Sequence, residues 1–381
     1  MRELAGLGND VYIVSPTERR YGEKTHEIIE DNVKILKVKT LNIQKTNVVE
    51  KGVGTLLLES QFLKAIRKYW QDVKFDLILY STPPITFNKV INSIKAGCGA
   101  RSYLLLKDIF PQNAVDLGMF GKDSFFYKMF RKKEKKLYEI SDKIGCMSPA
   151  NVRYIVENNP EVDESKVDLF PNSIVPSDVE TPSKEERNKL LRELGIPADK
   201  VLSVYGGNLG KPQGVDFLVE VLEENENREN SFILIVGSGT EYNKLDAWFN
   251  SHRPHNSKLI PSLPKEKYDA IVSVADIGLI FLDHNFTIPN FPSRLLNYLE
   301  FGIPVLVASD PVCDMGQIAE KEDFGLWCES NDVSRFYDKL NILEQAKEKR
   351  EEMGRNGRRY LEKNYDVRNH LKKLLDVSES R

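Results

Sequence analysis

No run of 18 consecutive apolar residues occurs in this 381-residue chain, so nothing in it reads as a bilayer span. Cysteine is scarce: Cys98, Cys146, Cys313 and Cys328 lie far apart and form no C-x-x-C pair. That spacing argues against a zinc site or a disulfide framework and fits the reduced thiols of a cytosolic protein. The five histidines (His26, His252, His255, His284, His370) show no metal-ligand spacing, and no Ser-His-Asp or Cys-His constellation can be argued. Net charge is only −3, which gives no overall reason to expect nucleic acid as a partner. The first 20 residues are too charged for a secretory signal. The expected location is cytoplasmic, with peripheral contact on the inner face of the membrane as an extension of it.

What is present describes a globular protein: 41% hydrophobic and 29% charged residues, in a chain too long for one ordinary core. Short β-branched runs alternate with amphipathic helical stretches. Asp10–Pro16, Val33–Val38, Phe75–Ser81, Ser102–Asp108, Lys143–Ser148 and Val167–Asn172 read as strands, with helices around Leu56–Tyr69 and Asn88–Ala96. After a polar interval, Pro176–Leu190, a second series follows: Val201–Gly207, Ser231–Gly239, Lys258–Leu263, Asp276–Leu282 and Pro304–Ser309. Beyond Val333 the chain reads as charged helix. Such alternation implies right-handed crossovers and mostly parallel sheets. The expectation is an α/β protein of two doubly wound, Rossmann-like domains facing a cleft. Residues 1–175 form the first, 176–200 the linker and start of the second, 201–345 the second, and 346–381 helices that pack back across both. The opening "MRELAGLGNDVYIVSP" starts with the back half of a helix, so the first strand and its glycine loop are expected to be missing.

Three segments of the second domain carry candidate chemistry. "VYGGNLGKPQGVDFL" (Val204–Leu218) is a strand, a glycine turn and a helix; Gly206, Gly207 and Gly210 let backbone amides approach an anion, with Lys211 beside them. A plain tight turn is an equally good reading. "VGSGTEY" (Val236–Tyr242) lacks the third glycine of a dinucleotide fingerprint, and Gly237 and Gly239 there read better as packing glycines. "NFPSRLLNYLEFGIPVLVASD" (Asn290–Asp310) has Ser293 as N-cap, Leu295, Leu296 and Leu299 as buried stripe, and Gly302 then Pro304 as stop. So short a helix depends on packing. Its tip, with Pro292, Ser293 and Arg294, presents amides and a guanidinium at the carboxyl edge of a sheet, a diphosphate site that uses no metal. Asn297, one turn on, could bond sugar or ribose hydroxyls.

Together these segments resemble the carboxyl-terminal domain of the family-four retaining glycosyltransferases of GT-B type. "GGNLGKPQG" is similar to that family's glycine loop, "SLPKEKYDAIVSVADIGLIFL" (from Ser262, with Leu263) to its nucleobase-side loop, and "PSRLLNYLEFGIPVLVASD" to its donor-binding helix. "LLLKDIFPQNAVDLGMF" (Leu104–Phe120) resembles the segment facing the transferred sugar, and "SDKIGCMSPANVRYI…VDLFPNSI" the close of the first domain. The resemblance is strongest to enzymes building capsule, exopolysaccharide and O-antigen units. It implies a nucleotide-diphospho-sugar donor (a UDP-sugar), no further cofactor, no metal, and a lipid-linked or saccharide acceptor. It further implies transfer with retention by same-face attack, without an assigned nucleophile. Lys211 and Arg294 would carry the phosphate charge, and Asp108 and Lys107 would face the sugar. Gly207, Asn208, Gly210, Gln213, Gly237, Gly239, Leu263, Pro292, Ser293 and Asn297 would contact the donor.

The chain departs from the family pattern at several places. Asn297 and Pro289 stand where two glutamates in E-x7-E spacing are usual, and Glu300 is three residues away. Asn208 replaces a frequent arginine, Gln213 a frequent lysine, and Lys107 a frequent histidine. A non-catalytic homologue or partner subunit, or an epimerase of the same shape, are the alternatives. Finally, "FFYKMFRKKEKKLY" (Phe125–Tyr138) sets Lys128, Arg131, Lys132, Lys133, Lys135 and Lys136 against Glu134, interleaved with Phe125, Phe126 and Phe130. It reads either as a solvated helix face or as a surface for an anionic membrane.

Overall fold

The computed structural model describes residues 1–43 and 48–379. In the first lobe, β1 (Val11–Glu18), β2 (His26–Glu30) and β3 (Val33–Thr40) form one sheet in the order β1-β3-β2. β1 runs parallel to β3, while β2 returns antiparallel through Asp31 and Asn32. Both turn residues have positive φ, 50° and 61°, as a two-residue hairpin turn requires. β4 (Leu77–Ser81), β5 (Arg101–Leu106), β6 (Lys143–Cys146) and β7 (Val167–Leu169) form a second, parallel sheet in chain order.

The strands of this lobe thus fall in two sheets. Among the described residues β1 pairs only with β3, and β4 only with β5. A cavity of about 300 Å³ lies between them, lined by Tyr12 and Val14 from β1 and by Leu77–Ser81.

The second lobe is one parallel sheet. Its strands are β8 (Val201–Asn208), β9 (Ser231–Ser238), β10 (Ser257–Pro261), β11 (Ile277–Phe281), β12 (Val305–Ser309) and β13 (Gly325–Glu329), ordered β10-β9-β8-β11-β12-β13. The chain builds outward from β8 through β10 and then resumes at β11 on the other side of β8. A crevice opens at the carboxyl ends of strands where winding reverses in this way, here at β8 and β11. β9, β11 and β12 are buried almost throughout, which is why they read as continuous apolar runs with no alternation.

Several connections hold the lobes together. Residue 174 and residues 365–367 meet where the chain crosses between lobes: the Ile174 amide donates to the Tyr365 carbonyl and the Val367 amide to the Ile174 carbonyl, each at 2.9 Å. The last helix, Leu371–Glu379, returns to the first lobe and buries Leu371, Leu374 and Val377 against Val11, Val33, Tyr103 and Phe170. The loop after β11 inserts Phe286 and Ile288 into the first-lobe core beside Leu104, Leu137 and Ile144. Next to it, Asp116 accepts from the Thr287 amide at 2.9 Å and from its hydroxyl at 2.9 Å.

Candidate active site in the interlobe cleft

A cavity of about 800 Å³ lies between the lobes, over the carboxyl ends of β8 and β11. Its second-lobe wall is built on the glycine turn. A Cβ on Gly206 would lie 1.8 Å from the Tyr268 hydroxyl, and Gly207 has φ +124°, a conformation open mainly to glycine. Asn208 and the Gly210 amide both donate to Gln213 Oε1 at 3.0 Å, which closes the turn. Gly207, Asn208, Gln213, Gly237, Leu263, Pro292, Ser293, Arg294 and Asn297 all line the cavity.

Three sequence candidates do not. Lys211 is exposed and, with Gly210 and Gly239, is not among the lining residues. Lys211 opens a 3-10 turn, Lys211–Gln213, whose capping by Gln213 leaves the lysine outside. Gly239 has a packing duty: a Cβ there would lie 2.2 Å from the Leu209 carbonyl.

The short helix is Arg294–Glu300, seven residues. Ser293 has helical dihedrals and makes no side-chain cap, against expectation. The amides of Leu295 and Leu296 turn back to the carbonyls of Pro292 and Ser293 at 3.4 and 3.1 Å, so the tip is less open than four free amides would be. Its stability comes from packing through a residue the pattern did not single out. Tyr298 is fully buried; its hydroxyl accepts from the Gly206 amide at 3.1 Å and reaches the Val204 carbonyl at 3.0 Å and the Leu279 carbonyl at 3.3 Å. One hydroxyl thus ties the helix to β8 and β11 at the switch point.

That anchoring sets the two polar residues of the helix. The Arg294 guanidinium lies 4.3 Å from the Tyr205 ring centroid, a cation–π contact. Its Nη1 is buried and has no hydrogen-bond partner among the described residues. Asn297 donates to Asp269 at 3.1 Å, while its Oδ1 is buried without a partner. Asp269 is itself paired with Lys265, another residue of the wall. Glu300 is turned away, accepting from the Ser177 amide at 2.9 Å and hydroxyl at 2.7 Å.

On the first-lobe wall stand Lys107, Asp108 and Asn113. Thr82, buried at the end of β4, accepts from the Lys107 and Asp108 amides, each at 3.1 Å, and donates to the Asp108 carbonyl at 2.9 Å. Asn113 donates to the Asp108 carboxylate at 2.6 Å. Burial pushes Asp108 up to about 6, against the downward pull of the Asn113 bond. Burial also pushes the Lys107 ammonium down to about 8. Both groups therefore titrate near neutrality, as groups in working clefts often do. Thr82 and Tyr298 escaped the sequence reading because each acts through a partner distant in the chain, and Asn113, five residues from Asp108, because only the turn between them aims its amide at the carboxylate.

The basic segment forms the helix Phe125–Ile140, with Phe125 75% and Phe126 59% exposed. Phe130 and Arg131 do not join that surface. Phe130 packs 5.0 Å from the Phe110 ring, and Arg131 bonds Glu134 and Asn159, each at 2.6 Å.

Two lobes with parallel sheets, facing across a cleft at the switch point of the second, define the GT-B architecture of glycosyltransferases. Residues 186–360 match the family model described as Glycosyl transferases group 1. WbjE of Pseudomonas aeruginosa, provisionally described as a glycosyltransferase, is 19% identical over 333 residues, 87% of this chain and 80% of WbjE. WcaI of Escherichia coli (strain K12), provisionally described as a colanic acid biosynthesis glycosyl transferase, is 21% identical over 270 residues, 70% of this chain and 65% of WcaI. Anabaena Alr3699/HepE in complex with UDP-glucose has a TM-score of 0.68 at 13% identity, over 92% of this chain and 87% of that one. At that identity the likeness speaks for the fold alone. No helix among the described residues is long and apolar enough to cross a membrane.

Proposed function

We propose that this protein transfers a sugar from a nucleotide-diphospho-sugar, a UDP-sugar, to a lipid-linked saccharide in cell-surface polysaccharide synthesis, with retention at the anomeric carbon. The observation that carries the reading is Arg294: a guanidinium held against Tyr205 in the cleft wall, with Nη1 buried and unpartnered. Leaving such a donor unsatisfied costs on the order of 1–3 kcal/mol or more, which a diphosphate oxygen would recover as a charge-assisted bond. The match to the group 1 family over the second lobe supports it, as does the UDP-glucose held by HepE on a similar fold. The description of WcaI supports the placement in polysaccharide synthesis.

In this reading the second lobe binds the donor and the first lobe the acceptor. Arg294, with Lys265 nearby, stabilises negative charge growing on the leaving diphosphate, a preorganised electrostatic effect. Asn297 Oδ1 accepts from a donor hydroxyl. Asp108 and Lys107 face the transferred sugar across the cleft. Packing of the lobes keeps water, the competing acceptor, from the donor. The exposed face of Phe125–Ile140 meets the membrane that presents the acceptor.

The test is a panel of UDP-sugars offered with and without a lipid-linked acceptor, following UDP release. Release with one donor that rises on adding acceptor and collapses in Arg294→Ala supports the proposal. No release from any donor, with UDP still bound, would favour a non-catalytic homologue.

A further inference from the structure

Apart from the interlobe cleft, the first lobe holds a small cavity of about 180 Å³ lined by polar side chains, among them Lys122, Tyr127, Arg131, Glu134, Tyr154 and Asn159. Arg131 is pinned by Glu134 and Asn159, and Glu134 also accepts from Tyr138 at 2.7 Å, so the buried carboxylate is answered within the protein. Three groups of the lining are not spent. Among the described residues the Lys122 ammonium touches no carboxylate, and neither the Tyr127 nor the Tyr154 hydroxyl bonds another residue. Burial raises the Tyr154 phenol, which keeps its proton and remains a donor. A free ammonium and two free hydroxyls beside a fixed guanidinium suit a tetrahedral oxyanion. The volume is below the roughly 300 Å³ at which small-molecule pockets begin, so it suits a headgroup and not a nucleotide.

The surface around this cavity adds a second observation. Phe125, Phe126 and Met119 are 75%, 59% and 68% exposed. At about 100° per residue, Phe125 falls on one arc of its helix with Lys128, Lys132 and Lys136, all exposed. Apolar rings beside unburied lysines complement a surface that is both anionic and apolar just beneath, which describes a bilayer interface.

We propose that this pocket takes the phosphate headgroup of an anionic lipid in a bilayer, with Phe125 and Phe126 set into the interface. The inference rests on the lipid-linked acceptor proposed above, which is the reason for the first lobe to meet a bilayer.

The experiment is flotation of the full chain with vesicles of phosphatidylcholine, alone or with phosphatidic acid or phosphatidylserine at matched surface charge. Phosphatidic acid vesicles should bind best. The double variant Lys122→Gln/Tyr154→Phe, verified as folded by circular dichroism, should lose about tenfold or more of that preference. It should retain its weaker binding to phosphatidylserine. Phe125→Ser/Phe126→Ser should weaken binding to both anionic vesicles. Absence of vesicle binding, or a pocket variant that floats like the wild type, overturns the proposal. So does inorganic phosphate bound in calorimetry while flotation ignores the pocket variant, which would mark a free-phosphate site. UDP binding in vesicle-free buffer reads the cleft alone, so its survival when flotation fails would sink this inference and spare the transferase reading.

Discussion

Tyr298→Phe should damage the cleft from beneath without touching any ligand. The change removes one oxygen and no carbon, so no sizeable cavity forms and the aromatic packing against Gly278, where a Cβ would lie 2.5 Å from the ring, is kept. What is lost is the partner of the Gly206 amide at 3.1 Å and the donor to the Val204 or Leu279 carbonyl. A buried amide left without a partner costs about 1–3 kcal/mol, and a lost neutral hydrogen bond about 0.5–1.5 kcal/mol. The sum, about 1.5–4.5 kcal/mol, is a large share of the roughly 5–15 kcal/mol by which a domain is stable. Urea unfolding should show a lower midpoint at unchanged slope, since the surface exposed on unfolding stays the same. Because the hydroxyl also fixes Gly206 and Gly207 relative to Arg294, calorimetry should show weaker UDP binding in protein that remains folded. A midpoint and an affinity both equal to the wild type would refute the anchoring role.

Asp108→Asn should stabilise the protein above about pH 6. The folded carboxyl is raised to about 6 from 3.8, so wild type loses stability as pH rises between those values, by about 1–3 kcal/mol; thermal melts at pH 4 and pH 8 should show a gain only at the higher pH. Thr82→Val should lower kcat about tenfold or more with a smaller change in KM, because its three bonds position the Lys107–Asp108 backbone; Thr82→Ser should restore most of the rate. Phe286→Ala should cost about 3–5 kcal/mol and loosen the lobes, seen as a larger radius of gyration in solution scattering; unchanged scattering would show that the loop does not hold them.

The second-lobe strands were legible because burial on both faces writes itself as unbroken apolar runs, as in Phe232–Val236 and Ile277–Phe281. β2 was not: His26–Glu30 is half exposed and short, and only its Asp31-Asn32 turn marks it. Phe286 and Ile288 lie in a loop with no periodicity, so their burial in the other lobe depends on the tertiary fold. The cleft residues nearest the glycine turn and the short helix could be read from local pattern. Lys211 could not be placed, since one 3-10 turn decides whether it faces in or out. Tyr298 stood among leucines as one more apolar position, and nothing local reveals that its hydroxyl reaches two strands.

Titrating UDP into wild type and Arg294→Gln by calorimetry, with both proteins shown to be folded, tests the role of Arg294 most directly. Loss of a charge-assisted bond of about 1.5–3 kcal/mol should weaken binding about 10- to 150-fold. Equal affinities would contradict the assignment of the Arg294 guanidinium to the donor diphosphate.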